Sequence, residues 1–323
     1  MHIPDGFLDA KTAIATGVFS VTGLGAALRH AGQQLPSSKI PLIGLAAAFI
    51  FVAQMVNFPV ASGTSGHLLG ATLAAVLLGP SAAIIVMSSV VIVQALIFAD
   101  GGILALGANA FNMAIIAPLS GYGIYKVMRT FLRGDQGRLV AVGFASWCAT
   151  VIAAVFCAGE LAWSGTAPWR STFPAMAIVH MLTGLGEATI TMLVIAAVSK
   201  TRPELLNETD GNETTNGRSV AFVYLALLVI GVLLLVAPHA TQLPDGLEKV
   251  ASSVGFNARA TAVSDASAPL KDYQLPGVHS TTATMIAGLI GAVAVFAFSF
   301  LLARVLARRD AKTVRSADTT HPQ

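Results

Sequence analysis

The first two residues of the chain, Met1 and His2, carry three nitrogen atoms that one metal ion can bind together. A free α-amine is a nitrogen ligand once it has lost its proton, and its pKa of about 8 makes that loss accessible. The backbone nitrogen and the imidazole of His2 follow at once, so the three nitrogens can close two fused chelate rings in one plane. Square-planar nitrogen sites suit Ni(II) and Cu(II). A preference for Co(II) does not follow from these residue types.

The fourth corner of such a square has a candidate in His67. It ends the stretch Ser62–His67, whose small, uncharged residues let another segment approach closely. Asp5 either holds the tight turn Pro4–Gly6 or accepts a hydrogen bond from a ligand imidazole, a common role for carboxylates near metals. The alternative is that His2 follows a start codon by chance and that His67 caps a helix at a membrane interface.

The composition indicates that a membrane protein must position these groups. Of the 323 residues, 55% are hydrophobic and 11% are charged, whereas soluble domains carry about 25% charged residues. Long runs rich in Ala, Leu, Ile, Val and Gly favour helices over a barrel of alternating strands. The net charge of +3 is small and indicates membrane topology, with no nucleic-acid partner.

Apolar segments predict an all-α polytopic fold: a body of about seven transmembrane helices and a two-span C-terminal domain with an outside loop. The segments lie near residues 9–29, 40–57, 67–79, 81–99, 103–127, 138–162, 172–199, 219–237 and 282–306. The segment at 67–79 is short for a span, which needs about 20 residues, so we expect a short or tilted helix buried among its neighbours. The predicted parts are a metal-binding body at 1–200, a cytoplasmic linker at 201–218, a two-span domain at 219–306 and a polar cytoplasmic tail at 307–323.

The basic residues predict how the chain lies in the cytoplasmic (inner) membrane. With the N-terminus outside, 14 of the 19 Lys and Arg residues face the cytoplasm, in agreement with the positive-inside rule. This orientation puts Met1, His67 and the loop at 238–281 outside, and the C-terminus in the cytoplasm. No basic n-region or A-x-A cleavage site precedes the first span, so we expect the start of the chain to be retained.

Four motifs follow one another in the predicted body: Met1–Leu8 (MHIPDGFL), Gly63–Gly70 (GTSGHLLG), Gly107–Met113 (GANAFNM) and His180–Ala188 (HMLTGLGEA). Together they resemble the CbiM/NikM family, the substrate-specific subunits of energy-coupling-factor transporters for cobalt and nickel. The resemblance implies one divalent metal, bound by the Met1 amine, the His2 amide and imidazole, and the His67 imidazole. It also implies two kinds of partner, a transmembrane coupling subunit and ATP-binding cassette ATPases.

A further motif, Leu243–Ala251 (LPDGLEKVA), resembles the PDGLE domain of the family's accessory subunit, and residues 272–277 are similar to its later part. In the family this small subunit has two spans and an outside loop, which is the layout predicted here from charge. The resemblance therefore implies a fused NikMN-type chain whose C-terminal part assists metal loading or release.

Other polar residues are candidates for supporting roles. His180 and Glu187 lie seven residues apart, near one helix face; ionisable residues inside a membrane are functional candidates, and helix packing is the alternative. Asn109 and Asn112 are expected either to hydrogen-bond the N-terminal segment or to join helices. For Asp100, a solvated turn is favoured over a role in attracting cations.

The sequence contains no Gly-x-x-x-x-Gly-Lys-Ser/Thr loop, so ATP hydrolysis is expected on partner subunits. No nucleophile–base arrangement and no HExxH motif indicates an enzyme. The predicted function is capture of Ni(II) or Co(II), as transported substrate and not as cofactor, by one subunit of an ATP-driven importer. The alternatives are a cobalt-specific subunit that feeds cobalamin synthesis and a self-sufficient metal channel or secondary transporter. Nickel leads because a nitrogen square suits it and because the fused layout resembles the nickel systems.

Overall fold

The computed structural model describes residues 1–206, 216–260, 268–278 and 280–318. These residues form a helical bundle with one small antiparallel hairpin. The helices are α1 (Ala10–Gln34), α2 (Ile40–Met55), α3 (Ala71–Leu78), α4 (Pro80–Val93), α5 (Leu106–Ala110), α6 (Ala117–Phe131), α7 (Gly134–Trp163), α8 (Trp169–Thr201), α9 (Asn216–Val236), α10 (Gly246–Val254) and α11 (Thr281–Asp318), and the strands are β1 (Phe58–Val60) and β2 (Thr64–Gly66).

Six helical segments in the described ranges are long and apolar enough to cross a membrane: Ala10–Gln34, Pro80–Phe98, Gly134–Trp163, Trp169–Thr201, Ala221–His239 and Thr281–Ala307. α2 is a shorter apolar helix. α5 and α6 are joined by the π-helical turn Phe111–Ile116 and continue one another. The prediction of an all-α polytopic membrane fold is confirmed.

The short segment that follows His67 is helical only over α3, whose eight residues rise about 12 Å. That is well below the roughly 30 Å of a bilayer core, so α3 is too short to be a full span. Seven of its residues are buried, and it packs on α4, α6 and α7. Such a broken element is tolerated in a membrane where protein surrounds its backbone. Its burial agrees with the expectation for residues 67–79.

Loops gather at the two ends of the bundle. One end holds the N-terminal segment, the β-hairpin and the loop before α10, since Ser65 N–H donates to the Pro244 carbonyl at 2.8 Å. At the other end Lys39, Lys126 and Arg138 line a cavity of about 420 Å³. These three basic residues, all expected in the cytoplasm, therefore lie around one cavity.

The C-terminal domain packs against the body and is not a separate appendage. α11 lies along α2 and also contacts α1 and α4. In the loop between α10 and α11, the Tyr273 ring stacks on Phe98 with ring centres 4.6 Å apart. α9 begins at Asn216, inside the predicted linker, and α11 continues to Asp318, so the predicted tail begins as helix. Residues 207–215, within the predicted linker, lie outside the described ranges.

Candidate metal site

The N-terminal segment is held in the protein by Asn109 of α5. The Ile3 N–H donates to the Asn109 side-chain oxygen at 2.7 Å, and the Asn109 amide donates back to the Ile3 carbonyl at 3.0 Å. The Gly102 N–H donates to the same carbonyl at 2.9 Å. Both Ile3 and Asn109 are buried. This clamp lies one residue beyond His2, so it determines where His2 and the terminal amine are placed.

Asp5 anchors the same segment at the start of α5. Its buried carboxylate accepts the N–H groups of Leu104 at 2.8 Å and Ala105 at 3.3 Å. Gly102 packs flat against this carboxylate, because a Cβ atom there would lie 2.0 Å from the Asp5 oxygen. The hydrogen-bond partners of Asp5 are thus the backbone N–H groups of Leu104 and Ala105, and not a ligand imidazole.

His67 presents one nitrogen to the N-terminus. Its Nδ1 lies 3.0 Å from the Leu68 carbonyl, which can only accept, so Nδ1 carries the proton. Nε2 therefore has a free lone pair, and it lies 3.3 Å from the Met1 amine nitrogen. A second hydrogen bond that sets the tautomer in this way is the usual arrangement of a metal-binding histidine.

The loop after His67 is held by Glu187 of α8. The Glu187 carboxylate accepts the N–H of Leu69 at 2.5 Å and that of Gly70 at 2.9 Å. Glu187 is 2% exposed, so both bonds lie out of water. A carboxylate that accepts two buried N–H groups satisfies the backbone where it enters the bundle, and this positions His67.

The His2 ring lies next to His67, with ring centres 5.7 Å apart. Both ring nitrogens of His2 are buried, and neither has a hydrogen-bond partner within the described ranges. The Nδ1 atom is the one that can close a six-membered ring with a metal and the His2 backbone nitrogen. Buried polar atoms without a hydrogen-bond partner cost free energy of folding. Two such nitrogens on one imidazole are consistent with a side chain that binds a metal.

The second partner of the Met1 amine comes from the C-terminal domain. Asp245 Oδ2 lies 2.7 Å from the Met1 nitrogen and forms an ion pair with it. The PDGLE motif is visible in the sequence, but this contact is not. The Asp-x-x-Glu pattern of Asp245 and Glu248 is a signal for a helix start, and it says nothing of what the carboxylate faces.

Asp100 is the second acidic residue at the site. Its Oδ1 lies 3.6 Å from His2 Nδ1, and its Oδ2 accepts the Tyr273 hydroxyl at 2.6 Å. The side chain is 29% exposed, so the favoured solvated turn describes it only in part. Tyr273 gives the C-terminal domain a second contact with the site, and the sequence had not indicated it.

Burial and nearby charges shift the pKa values of His2, His67 and the Met1 amine in different directions. Burial lowers the pKa of His67 to about 4, helped by the nearby amine and His2, and burial also lowers the pKa of His2. Both imidazoles are therefore neutral at pH 7, as ligation requires. Burial alone would lower the pKa of the Met1 amine, but the charge and hydrogen bond of Asp245 outweigh it and raise that pKa above 8.0. A metal must displace a proton from this amine.

His180 of α8 contacts the PDGLE motif beside the site. Its Nδ1 donates to the Met176 carbonyl at 2.8 Å, and a Cβ atom at Gly246 would lie 2.9 Å from its Nε2. Asn112 is not brought to the N-terminal segment; its amide donates to Glu160 of α7 at 2.7 Å. Asn112 thus has the interhelical role that was the alternative.

A small cavity of about 30 Å³ adjoins these groups, which is room for a water molecule or a single ion. Its lining includes Met1, His67, His180 and Asp245. Within the ranges that the structure describes, no three His, Cys, Asp or Glu side chains cluster as metal ligands.

A polytopic helical bundle with a nitrogen-rich site at one end defines a membrane protein of metal transport. The chain belongs to the CbiM family: the family model described as the cobalt uptake substrate-specific transmembrane region matches residues 2–205, and the model of the PDGLE domain matches residues 217–308. The predicted resemblance to a fused chain is confirmed.

Named relatives agree with this architecture. A protein of Archaeoglobus fulgidus, provisionally named a fused nickel transport protein NikMN, is 36% identical over 307 residues, or 94% of this chain and 98% of the relative. The fused nickel transport protein NikMN of Rhodobacter capsulatus is 35% identical over 221 residues, 64% of each chain. A crystal structure described as a truncated transition metal transporter is 36% identical, with a TM-score of 0.56, and covers 62% of this chain and 99% of its own.

Proposed function

We propose that this chain is the substrate-binding membrane subunit of an importer for Ni(II) or Co(II). Four nitrogens bind one metal: the Met1 amine, the His2 amide, the His2 Nδ1 and the His67 Nε2. The observation that carries the proposal is the 3.3 Å approach of the Met1 amine to His67 Nε2, beside a His2 ring whose buried nitrogens have no partner in the described part of the chain.

The spacing of the nitrogens supports one shared metal. Metal–nitrogen bonds of about 2.0–2.1 Å put neighbouring corners of a square about 2.9 Å apart. The Met1 amine and His67 Nε2 are 3.3 Å apart, so a shift of about 0.4 Å brings them to bonding positions. Because Asn109 and Glu187 hold the two segments, little of the site has to be built when the metal arrives.

Nickel is the leading substrate. A deprotonated amide in a square of nitrogens suits Ni(II), and two fused relatives are named for nickel transport. Cobalt is the second candidate, because the family description names cobalt uptake. The relative affinities of one purified chain for the two ions distinguish the candidates.

The importer needs partners that supply energy. The sequence has no phosphate-binding loop of the Gly-x-x-x-x-Gly-Lys-Ser/Thr type, so ATP hydrolysis resides on ATPase subunits that act through a coupling membrane subunit. The N-terminus and the site face the outside, and the basic end faces the cytoplasm. A self-sufficient channel would instead pass metal when the chain alone is reconstituted in vesicles.

The decisive experiment blocks the amine. The full chain and a variant with Gly-Ser ahead of Met1 are titrated with Ni(II) and Co(II) by calorimetry, and a variant with Gly-Ser after Gln323 serves as the control. We expect one metal per parent and per control chain, and loss of tight binding in the N-terminal variant. Equal binding by all three would refute the amine as a ligand.

A further inference from the structure

We propose that Asp245 of the PDGLE domain is itself a ligand of the transported metal, so that the two domains share one ion. In the absence of metal its carboxylate pairs with the Met1 amine; when the metal takes the amine nitrogen, the carboxylate binds the metal from outside the nitrogen plane. This inference rests on the proposed function.

The position of Asp245 is the first support. Its Oδ2 atom lies 2.7 Å from the Met1 nitrogen, which is the atom proposed to bind the metal. Asp245 also lines the small cavity that Met1 and His67 line. A metal about 2.0 Å from the amine lies within reach of this carboxylate.

The orientation of the carboxylate is the second support. Oδ1 accepts the Glu248 N–H at 2.9 Å, and the Glu248 side chain accepts the Asp245 N–H at 3.0 Å. This capping box leaves Oδ2 pointing at the amine. The preceding residues are tied to the hairpin next to His67, where Ser65 donates to the Leu243 and Pro244 carbonyls. The oxygen is therefore held in place before the metal arrives.

Charge is the third support. The Asp245 side chain is 19% exposed, and its positive partner in the site is the Met1 amine. Once that amine gives up a proton and binds a metal, it can still donate a hydrogen bond but no longer carries a positive charge. A largely buried carboxylate without a compensating charge is strongly unfavourable, and the dication within reach supplies that charge.

The alternative is that Asp245 only holds the amine before loading. The two readings predict opposite effects of Asp245→Asn. A carboxylate that competes with the metal for the amine weakens binding, so its removal would tighten binding. A carboxylate that binds the metal strengthens binding, and we expect its removal to weaken Ni(II) affinity by about 10- to 100-fold, as for other groups around metal sites.

The test compares parent, Asp245→Asn and Glu248→Gln, all as full chains, metal-free for calorimetry and nickel-loaded for X-ray absorption. Asn is a good N-cap residue and Gln completes a capping box, so α10 is retained, and Glu248→Gln controls for the loss of one nearby negative charge. Calorimetry measures the affinity, and nickel X-ray absorption reports the coordination geometry. We expect a five-coordinate spectrum in the parent and in Glu248→Gln, and a square-planar spectrum with weaker binding in Asp245→Asn.

Each other outcome overturns the inference. A square-planar spectrum in the parent does so without any variant, and so does an Asp245→Asn variant with unchanged geometry or with equal or tighter binding. Those results leave the nitrogen ligands intact. The proposed function fails separately, if the parent binds no metal or if the N-terminal Gly-Ser extension leaves its binding unchanged.

Discussion

Replacing Asn109 by Leu tests whether the clamp on the N-terminal segment supports metal binding. Leu has nearly the same shape but neither donates nor accepts a hydrogen bond. The change removes the bond from the Ile3 N–H at 2.7 Å and the bond to the Ile3 carbonyl at 3.0 Å. The carbonyl keeps the Gly102 N–H, but the Ile3 N–H remains buried with no acceptor.

The expected size of the effect follows from these contacts. The lost bond to the Ile3 carbonyl contributes about 0.5–1.5 kcal/mol, and the stranded Ile3 N–H costs about 1–3 kcal/mol. The docked segment is therefore weakened by about 1.5–4.5 kcal/mol. Because the proposed site needs Met1 and His2 in the docked position, the nickel affinity should fall by about 10- to 1,600-fold, at 1.4 kcal/mol per factor of ten.

Calorimetric titration of Ni(II) into the purified variant measures this loss. Ser20→Ala is the matched control: it removes one bond to the same helix, from the Ser20 hydroxyl to the Gly107 carbonyl at 2.6 Å, without touching the segment. We expect this control to bind nickel as the parent does. If Asn109→Leu keeps its fold and binds nickel with the parent's affinity, the clamp does not support the site and the reasoning is refuted.

Two further predictions concern protons and the His67 loop. Nickel affinity should rise about 100-fold from about pH 6.5 to about pH 7.5, because in the proposed site the metal displaces two protons, one from the Met1 amine and one from the His2 amide, while His67, with a pKa of about 4, is already neutral. Calorimetric titration at the two pH values checks this. A tenfold rise would mean that the amide keeps its proton, and no rise would exclude both the amine and the amide as ligands. Glu187→Gln should weaken nickel binding by about 10- to 100-fold, because the single amide oxygen replaces two carboxylate oxygens that accept the Leu69 and Gly70 N–H groups, and a bond to a charged acceptor contributes about 1.5–3 kcal/mol. The control Glu160→Gln should bind nickel as the parent does in the same assay. Equal losses in both variants would indicate a general effect on folding.

The nitrogen chemistry of the N-terminus could be predicted because it is local. The amine, the amide and the imidazole of the first two residues are covalently connected, so their chelate geometry needs no tertiary structure. His67 was a weaker inference, since it depended on loop composition and on the side of the membrane. The structure brings its Nε2 to 3.3 Å from the amine.

The roles of the supporting residues could not be predicted in the same way. Asn109 and Asn112 lie three residues apart with the same side chain, yet one holds Ile3 and the other pairs with Glu160. Which polar partner a buried amide meets depends on how each helix is rotated and what packs on it. One sequence read along its length carries little of that information.

Composition and patterning by themselves determined the membrane class, the helical fold and the division into a body and a C-terminal domain. These features depend on hydrophobicity summed over long segments, which the order of residues states directly. The contacts between the C-terminal domain and the site are visible only in the folded chain: Asp245, 244 residues from Met1 along the chain, forms an ion pair with its amine, and Tyr273 donates a hydrogen bond to Asp100. Such contacts depend on how the loop between α9 and α11 folds over the N-terminal segment. The free energy of that packing is the sum of many weak van der Waals contacts, which no sequence motif specifies.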